Sequence, residues 1–70
     1  MTEYQKLVDA EKTYCTIEIE EISTGKGGVA NSEDDGKVAV FYGALDGSDD
    51  KVISAEEFNR SFRITRMINN

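Results

Sequence analysis

Residues 37–62 constrain the fold most, because their pattern predicts an apolar strand, an acidic turn, a short second strand and a capped helix, in that order. Residues 37–42 are rich in β-branched and aromatic side chains, which is typical of a central strand covered on both faces. Residues 51–53 are expected to return antiparallel to it after the aspartate-rich turn. Ser54 begins a capping box, which predicts a short helix over Ala55–Ser61 and then a strand.

The start of the chain predicts a second helix. Thr2 and Gln5 fit a capping box, and Tyr4 and Leu7 recur at helical spacing, so a helix is expected over residues 3–12. This helix would cover one face of a sheet.

Residues 13–22 alternate between apolar and polar side chains, which predicts a strand with one buried face. Cys15 is expected to be buried in this strand as a small apolar residue. A doubled glutamate before Ile22 breaks the alternation, and a bulge there would return Ile22 to the core. Glu18 and Glu20 are expected on the face that meets water.

Residues 23–36 are polar and hold four of the six glycines, which predicts a long flexible loop. The glycines lack the spacing and the Gly-Lys-Ser/Thr ending of a phosphate-binding loop. The segment closes on Glu33, Asp34 and Asp35, which are candidate contacts for a basic partner.

Together these elements predict one α+β domain over residues 1–70, with a small antiparallel sheet or SH3-like barrel of three or four strands. An N-terminal helix and a short helix near residues 55–61 complete it. So small a chain needs nearly every large apolar side chain for its core and leaves little space for a buried active site. The candidate core residues are Leu7, Val8, Ile17, Ile19, Ile22, Val38, Val40, Phe41, Tyr42, Leu45, Val52, Ile53, Phe58, Phe62, Ile64 and Ile68.

The ending of the chain resembles that of many short accessory proteins of bacteriophages and mobile elements. The shared pattern over residues 37–64 is an apolar strand, a polar turn, Lys-Val-Ile, Ser-x-x-Glu-Phe and a second phenylalanine. Several of those proteins are SH3-like barrels with one helical turn before the last strand. The resemblance implies this fold and carries no catalytic residue.

A second resemblance, over residues 46–57, is to the EF-hand calcium loop. Lys51 occupies the position where that loop favours glycine, and the residues before Leu45 make a poor entering helix. Calcium binding is therefore an alternative to a hairpin tip. Its ligands would be Asp46, Ser48, Asp50, Ser54, Glu57 and the carbonyl group of Val52.

The charge of the chain is distributed unevenly. Residues 1–57 hold all fourteen acidic residues against five lysines, a net charge of −9, and Arg60, Arg63 and Arg66 follow with no acid. Such a body should repel nucleic acid and anionic membranes and attract basic protein surfaces.

A single cysteine, no signal-peptide pattern and no membrane-length apolar run predict a cytoplasmic protein.

Catalysis is the least supported class of function. The chain has no histidine, so it offers neither a Ser-His nor a Cys-His pair. Cys15 has no identifiable base beside it. We expect no enzymatic activity and no cofactor.

The leading hypothesis is a small acidic protein that docks its acidic face on a basic surface of a host protein, such as a nucleic-acid-binding protein. Phage-encoded inhibitors of host defence, including anti-CRISPR proteins and DNA mimics, are similar in being short, cytoplasmic and acidic. Another alternative is a structural subunit or homodimer, in which the arginines pair with the acidic body of a second copy. The residues expected at the contact are Glu18, Glu20, Glu33, Asp34, Asp35, Asp46, Asp49 and Asp50.

Overall fold

The computed structural model describes residues 1–43 and 50–69, which form two helices and a five-stranded antiparallel sheet. Neither helix in this part of the chain is long and apolar enough to cross a bilayer. The elements are α1 (Glu3–Ala10), β1 (Thr16–Glu21), β2 (Gly27–Glu33), a 3₁₀ turn (Asp34–Gly36), β3 (Lys37–Phe41), β4 (Lys51–Ser54), α2 (Ala55–Ser61) and β5 (Phe62–Ile68).

The sheet is open and carries both helices on one face. Its strands lie in the order β4-β3-β2-β1-β5, and every neighbouring pair is antiparallel. β4 and β5 are its two edges, so no barrel forms. The predicted α+β fold with an antiparallel sheet and two helices is confirmed. The sheet has one strand more than the largest number expected, and the SH3-like barrel is not the form it takes.

The core lies between the helices and the sheet. Phe58 of α2 and Phe62 of β5 are fully buried, and their rings stack with centroids 5.7 Å apart. Leu7 of α1 is also fully buried. Each helix therefore buries one apolar stripe against the inward side chains of the strands. The other core residues are Ala10, Ile17, Ile19, Ala30, Val38, Val40 and Ile53.

Both predicted helix caps are present. Thr2 Oγ accepts a hydrogen bond from Gln5 N–H at 3.1 Å, and Ser54 Oγ accepts one from Glu57 N–H at 3.1 Å. Each bond satisfies an amide of the first turn that has no partner within the helix. α2 spans the residues predicted for it, and α1 ends at Ala10, slightly before the predicted end.

The prediction of a long loop over residues 23–36 is wrong, because β2 occupies half of this segment. β2 and β3 form a hairpin through a tight turn in which Asp35 and Gly36 have φ angles of 62° and 69°. The inward residues of β2 are small. Ala30 is fully buried in the core, and both the N–H and the hydroxyl of Ser32 donate to the Glu11 carboxylate at the end of α1. The strand therefore lacks the large apolar side chains by which strands are usually predicted.

Two apolar residues of the first predicted strand lie outside the core. Cys15 precedes β1 and is exposed, and Ile22 follows it and is 57% exposed. The irregularity of the β1–β5 ladder falls between Glu18 and Ile19, where Thr65 of β5 has no partner. The predicted bulge beside Ile22 is therefore wrong, and the Ile22 side chain remains exposed to solvent.

The helices cover one face of β3 only, whereas the sequence predicts a strand covered on both faces. Val38 and Val40 are fully buried beneath the helices. On the opposite face, Phe41 is 37% exposed and Val52 of β4 is 61% exposed. Because both helices pack on the same side, apolar side chains remain on the other.

Glu3 ties the edge strand β5 to α1. Its Oε2 accepts a hydrogen bond from Ile64 N–H at 3.0 Å, and its Oε1 lies 3.1 Å from Lys6 Nζ. Burial acts to raise the pKa of Glu3. The hydrogen bond from Ile64 and the charges of Lys6 and Arg63 outweigh it and lower the pKa below its ordinary value.

Glu3→Gln is expected to lower the free energy of unfolding by up to about 1 kcal/mol at neutral pH, and this loss should disappear in acid. Because the pKa of Glu3 is lower in the folded state, its carboxylate contributes its full stabilisation of the folded protein at pH values above the ordinary pKa of 4.5. The contribution is lost as the pH falls through the lower, folded value. Urea unfolding of both proteins from neutral to acidic pH measures the difference. A constant difference over the whole range would contradict the assigned role.

Candidate protein-binding surface

The sheet face opposite the helices, called the open face from here on, is the candidate site. Side chains alternate across each strand, so the register of the ladders assigns its members. Ala39, for example, is 4% exposed yet lies outside the core cluster on the helix side. The open face carries Glu18 and Glu20 of β1, Gly27, Val29, Asn31 and Glu33 of β2, Lys37, Ala39 and Phe41 of β3, Val52 of β4, and Arg63 and Arg66 of β5.

Cross-strand pairing places a carboxylate and an aromatic ring in one row of the open face. Glu18 pairs with Val29, and Val29 pairs in turn with Phe41. The neighbouring row holds Glu20 and Gly27. Directly paired residues on one face have Cβ atoms about 4.5–5.5 Å apart. Val29 therefore forms a short apolar bridge between the Phe41 ring and the Glu18 carboxylate.

A groove of about 450 Å³ crosses these two rows. It exists because Gly27 contributes no side chain beside Glu20, so the second row is lower than the first. Its volume falls within the roughly 300–1,000 Å³ that is usual for ligand sites. The side chains and glycine that matter for its chemistry are Glu18, Glu20, Gly27, Val29, Phe41 and Thr65.

The two carboxylates of the groove differ in their partners. Glu20 Oε1 lies 2.6 Å from Nε and 2.6 Å from Nη2 of Arg63. Within residues 1–43 and 50–69, the Glu18 side chain forms no hydrogen bond or ion pair, although Arg66 lies opposite it in the ladder. No cationic side chain of the described chain lines the groove. The charge that faces a ligand there is therefore negative.

Cations already contact the other aromatic residue of the groove. Lys26 Nζ lies 4.5 Å from the centroid of the Tyr42 ring, and Lys51 Nζ lies 5.9 Å from it. Lys51 Nζ also lies 3.8 Å from the Glu21 carboxylate. Among the described residues, no cation contacts the ring of Phe41. Phe41 is therefore the aromatic ring that a ligand can reach.

The acidic residues predicted to bind a partner do not form one cluster. Glu18 and its neighbour Glu20 lie on the open face, as their alternation predicts. Glu33 projects from the same face but lies with Asp34 and Asp35 at the far end of the β2–β3 hairpin. A strand rises about 3.4 Å per residue, which places this acidic turn roughly 13 Å or more beyond the groove. The two groups are separate features.

The aspartates predicted in the turn before β4 are described in part. Asp46 and Asp49 lie outside the described residues. Asp50 is exposed, and its Oδ1 accepts a hydrogen bond from Tyr42 N–H at 3.2 Å. Because Tyr42 lines the groove, Asp50 adds a carboxylate close to one end of it.

The EF-hand interpretation loses its entering helix, because the residues that lead into the loop form strand β3. Val52 belongs to β4, and Ser54 and Glu57 are bonded to each other as the cap of α2. Asp46 and Ser48 lie outside the described residues. In the part of the chain that the structure describes, no three Cys, Asp or Glu side chains are placed to hold a metal ion. The β-branched composition of β3 outweighs the match to the calcium loop.

The chain matches no protein-family model, no curated protein and no solved structure at a significant level.

Phe41, Val29 and Gly27 are site residues that the sequence analysis does not identify. Phe41 belongs to a run that is apolar at both alternating positions, and this pattern suits an exposed binding face as well as a strand covered twice. Gly27 and Val29 lie in the segment expected to be a loop, where no face could be assigned. The apolar residues on both faces of β3 are therefore the sequence signal that points to this surface.

Proposed function

We propose that the chain is a protein-binding domain without enzymatic activity, which docks its open face on a basic surface of a partner protein. The groove carries this proposal, because it combines the exposed Phe41 ring with the Glu18 carboxylate on the face that the helices leave uncovered. Protein interfaces commonly have an apolar, aromatic centre and a polar border. Phe41, Val29 and Val52 supply the apolar centre, and charged residues of β1 and β5 supply the border.

The excess of acid supports a basic partner. The chain has a net charge of −6. A charge of this sign attracts positive surfaces and speeds their encounter at low salt. The acidic turn Asp34–Gly36 adds to this long-range attraction. Because salt screens charges over about 10 Å at 0.1 M, association should slow as salt is added.

The partner we propose is a nucleic-acid-binding protein of a bacterial host. Binding would inhibit this protein by covering its basic surface. The acidity, the small size and the resemblance to phage accessory proteins over residues 37–64 support this form. Arg63 and Arg66 share the open face with Glu18 and Glu20. We therefore propose a mixed interface rather than a row of carboxylates that imitates DNA phosphates.

Capture from a bacterial lysate with the tagged protein, followed by titration of the purified partner, tests the proposal. Glu18→Lys is expected to weaken binding at least ~10-fold, because it replaces an attraction with a repulsion. Phe41→Ser should weaken it to a similar degree by removing the aromatic centre.

Matched controls separate the open face from the rest of the surface. Glu56→Lys reverses an exposed acid on α2. Met67→Ser removes an apolar side chain whose exposed fraction of 38% nearly equals that of Phe41. Met67 lines a hollow beside α1 and not the groove. Both controls should bind nearly normally. Equal losses in the controls and in the open-face variants, or an affinity indifferent to salt, would contradict the proposal.

A further inference from the structure

We infer that the groove of the open face receives one arginine side chain of the partner, with its guanidinium at Glu18 and its aliphatic stem on Val29 and Phe41. The inference rests on the proposed function and adds the chemical class of the group that is inserted. It is drawn from the row that pairs Glu18, Val29 and Phe41 and from the groove that Gly27 leaves beside this row.

An arginine side chain fits the whole row. Its methylene stem is apolar and packs on surfaces such as those of Val29 and Phe41. Its planar guanidinium has N–H groups that donate in pairs to a carboxylate, which Glu18 provides. A lysine side chain satisfies the charge but not the paired donation.

The protein already binds one guanidinium on this face. Arg63 donates to Glu20 through Nε, with Nη2 also 2.6 Å from the same carboxylate oxygen. Glu18 lies two residues earlier on β1, so it projects from the same face. Its side chain has no ion-pair partner among the described residues. Glu18 is therefore the carboxylate that an incoming guanidinium can bind.

Gly27 keeps the groove open, and this gives a way to block it. A Cβ added at Gly27 would meet, among the described residues, only the Ile19 carbonyl oxygen at 3.8 Å, an ordinary contact. Gly27→Val therefore suits the strand, where valine is favoured, and fills the groove. Asn31→Val is its matched control, because it adds the same side chain to β2 on the same face but outside the lining of the groove.

The charge of Arg66 disfavours a second cation at Glu18. Arg66 lies opposite Glu18 in the β1–β5 ladder without forming an ion pair with it. Its positive charge opposes the entry of another cation. Arg66→Gln should therefore tighten the binding of arginine several-fold.

A titration of the whole protein with the peptide acetyl-Gly-Arg-Gly-amide, followed by NMR, tests the inference. We expect saturable shifts of the backbone amides of Glu18, Val29 and Phe41, with a dissociation constant on the order of millimolar. The citrulline peptide has the same shape without the charge and should bind at least ~10-fold more weakly. The lysine peptide should also bind more weakly than the arginine peptide.

Variants assign the shifts to the groove. Gly27→Val and Glu18→Gln should each weaken arginine binding at least ~10-fold, and Asn31→Val should leave it unchanged. Urea unfolding of each variant establishes that it is folded, so that a loss of binding reports on the groove alone.

Three outcomes would overturn the inference: equal binding of the arginine and citrulline peptides, tighter binding of the lysine peptide, or shifts centred on the turn Asp34–Gly36. Failure of the inference differs from failure of the proposed function. If Gly27→Val still captures the partner but Phe41→Ser does not, the open face docks on the partner without receiving an arginine side chain in the groove. If neither variant affects capture, the proposed function fails as well.

Discussion

Phe58→Ala is expected to remove about 3–5 kcal/mol of stability, the usual loss for a large buried aromatic side chain. The Phe58 ring is fully buried and stacks on Phe62, and it is the buried residue of α2. A chain of 70 residues is stable by roughly 4–10 kcal/mol in total. The variant should therefore lose about a third of its stability or more, and α2 should loosen from the sheet.

Phe41→Ala is the matched control, because it removes the same ring from the open face. The Phe41 side chain is 37% exposed, so its truncation transfers less apolar surface and leaves no closed cavity, and it should cost clearly less. Urea denaturation followed by circular dichroism measures both variants. Equal losses would mean that the core does not lie between the helices and the sheet.

Gly28→Val is expected to destabilise the protein by about 2–3 kcal/mol, although valine is favoured in strands. A Cβ at Gly28 would lie 2.3 Å from the carbonyl oxygen of Phe41 and 3.2 Å from the Cα of Tyr42. Phe41 belongs to β3, which is paired on both sides, so this backbone cannot retreat without loss of ladder hydrogen bonds. Only the absence of a side chain permits the close approach.

The adjacent variant Gly27→Val makes the same change where the space is open. It should be neutral or slightly stabilising, since the freedom of glycine in the unfolded chain is also reduced. The midpoints of urea unfolding compare the two variants. A normal midpoint for Gly28→Val would show that β2 and β3 do not approach so closely.

Elements that depend on near neighbours in the chain could be predicted. Thr2 and Ser54 indicate the helix starts because a capping hydroxyl contacts an amide three residues later. α2 follows from the cap at Ser54 and spans the predicted residues, and the predicted strand begins directly after it at Phe62. These signals are local, so no knowledge of the rest of the fold is needed.

β2 could not be predicted, because distant contacts determine which of its residues are small. Ala30 is fully buried within the core cluster, and Ser32 donates to Glu11 at the end of α1. The dipeptide Asp35-Gly36 is a known hairpin signal, but the residues just before it are mostly polar, so an apolar run flanks it on one side only. Composition alone therefore favoured a loop.

The candidate site could be predicted only where a local pattern determines the position of a residue. The position of Glu18 on a solvent-facing side follows from alternation within β1. The exposure of Phe41 depends on which face of the sheet both helices cover, and no local pattern contains that information. The separation of Glu33 from Glu18 depends on the register of β2, a strand that was itself not predicted.

The bond between Glu3 and Ile64 also limits how the molecule can polymerise. An outermost strand with unused amides is a template on which further chains can add, in the manner of fibrils. Here one carboxylate occupies such an amide, and an intruding segment would first have to displace it together with the start of α1. A side chain far from the groove thus removes one of the positions at which a further strand could pair with β5.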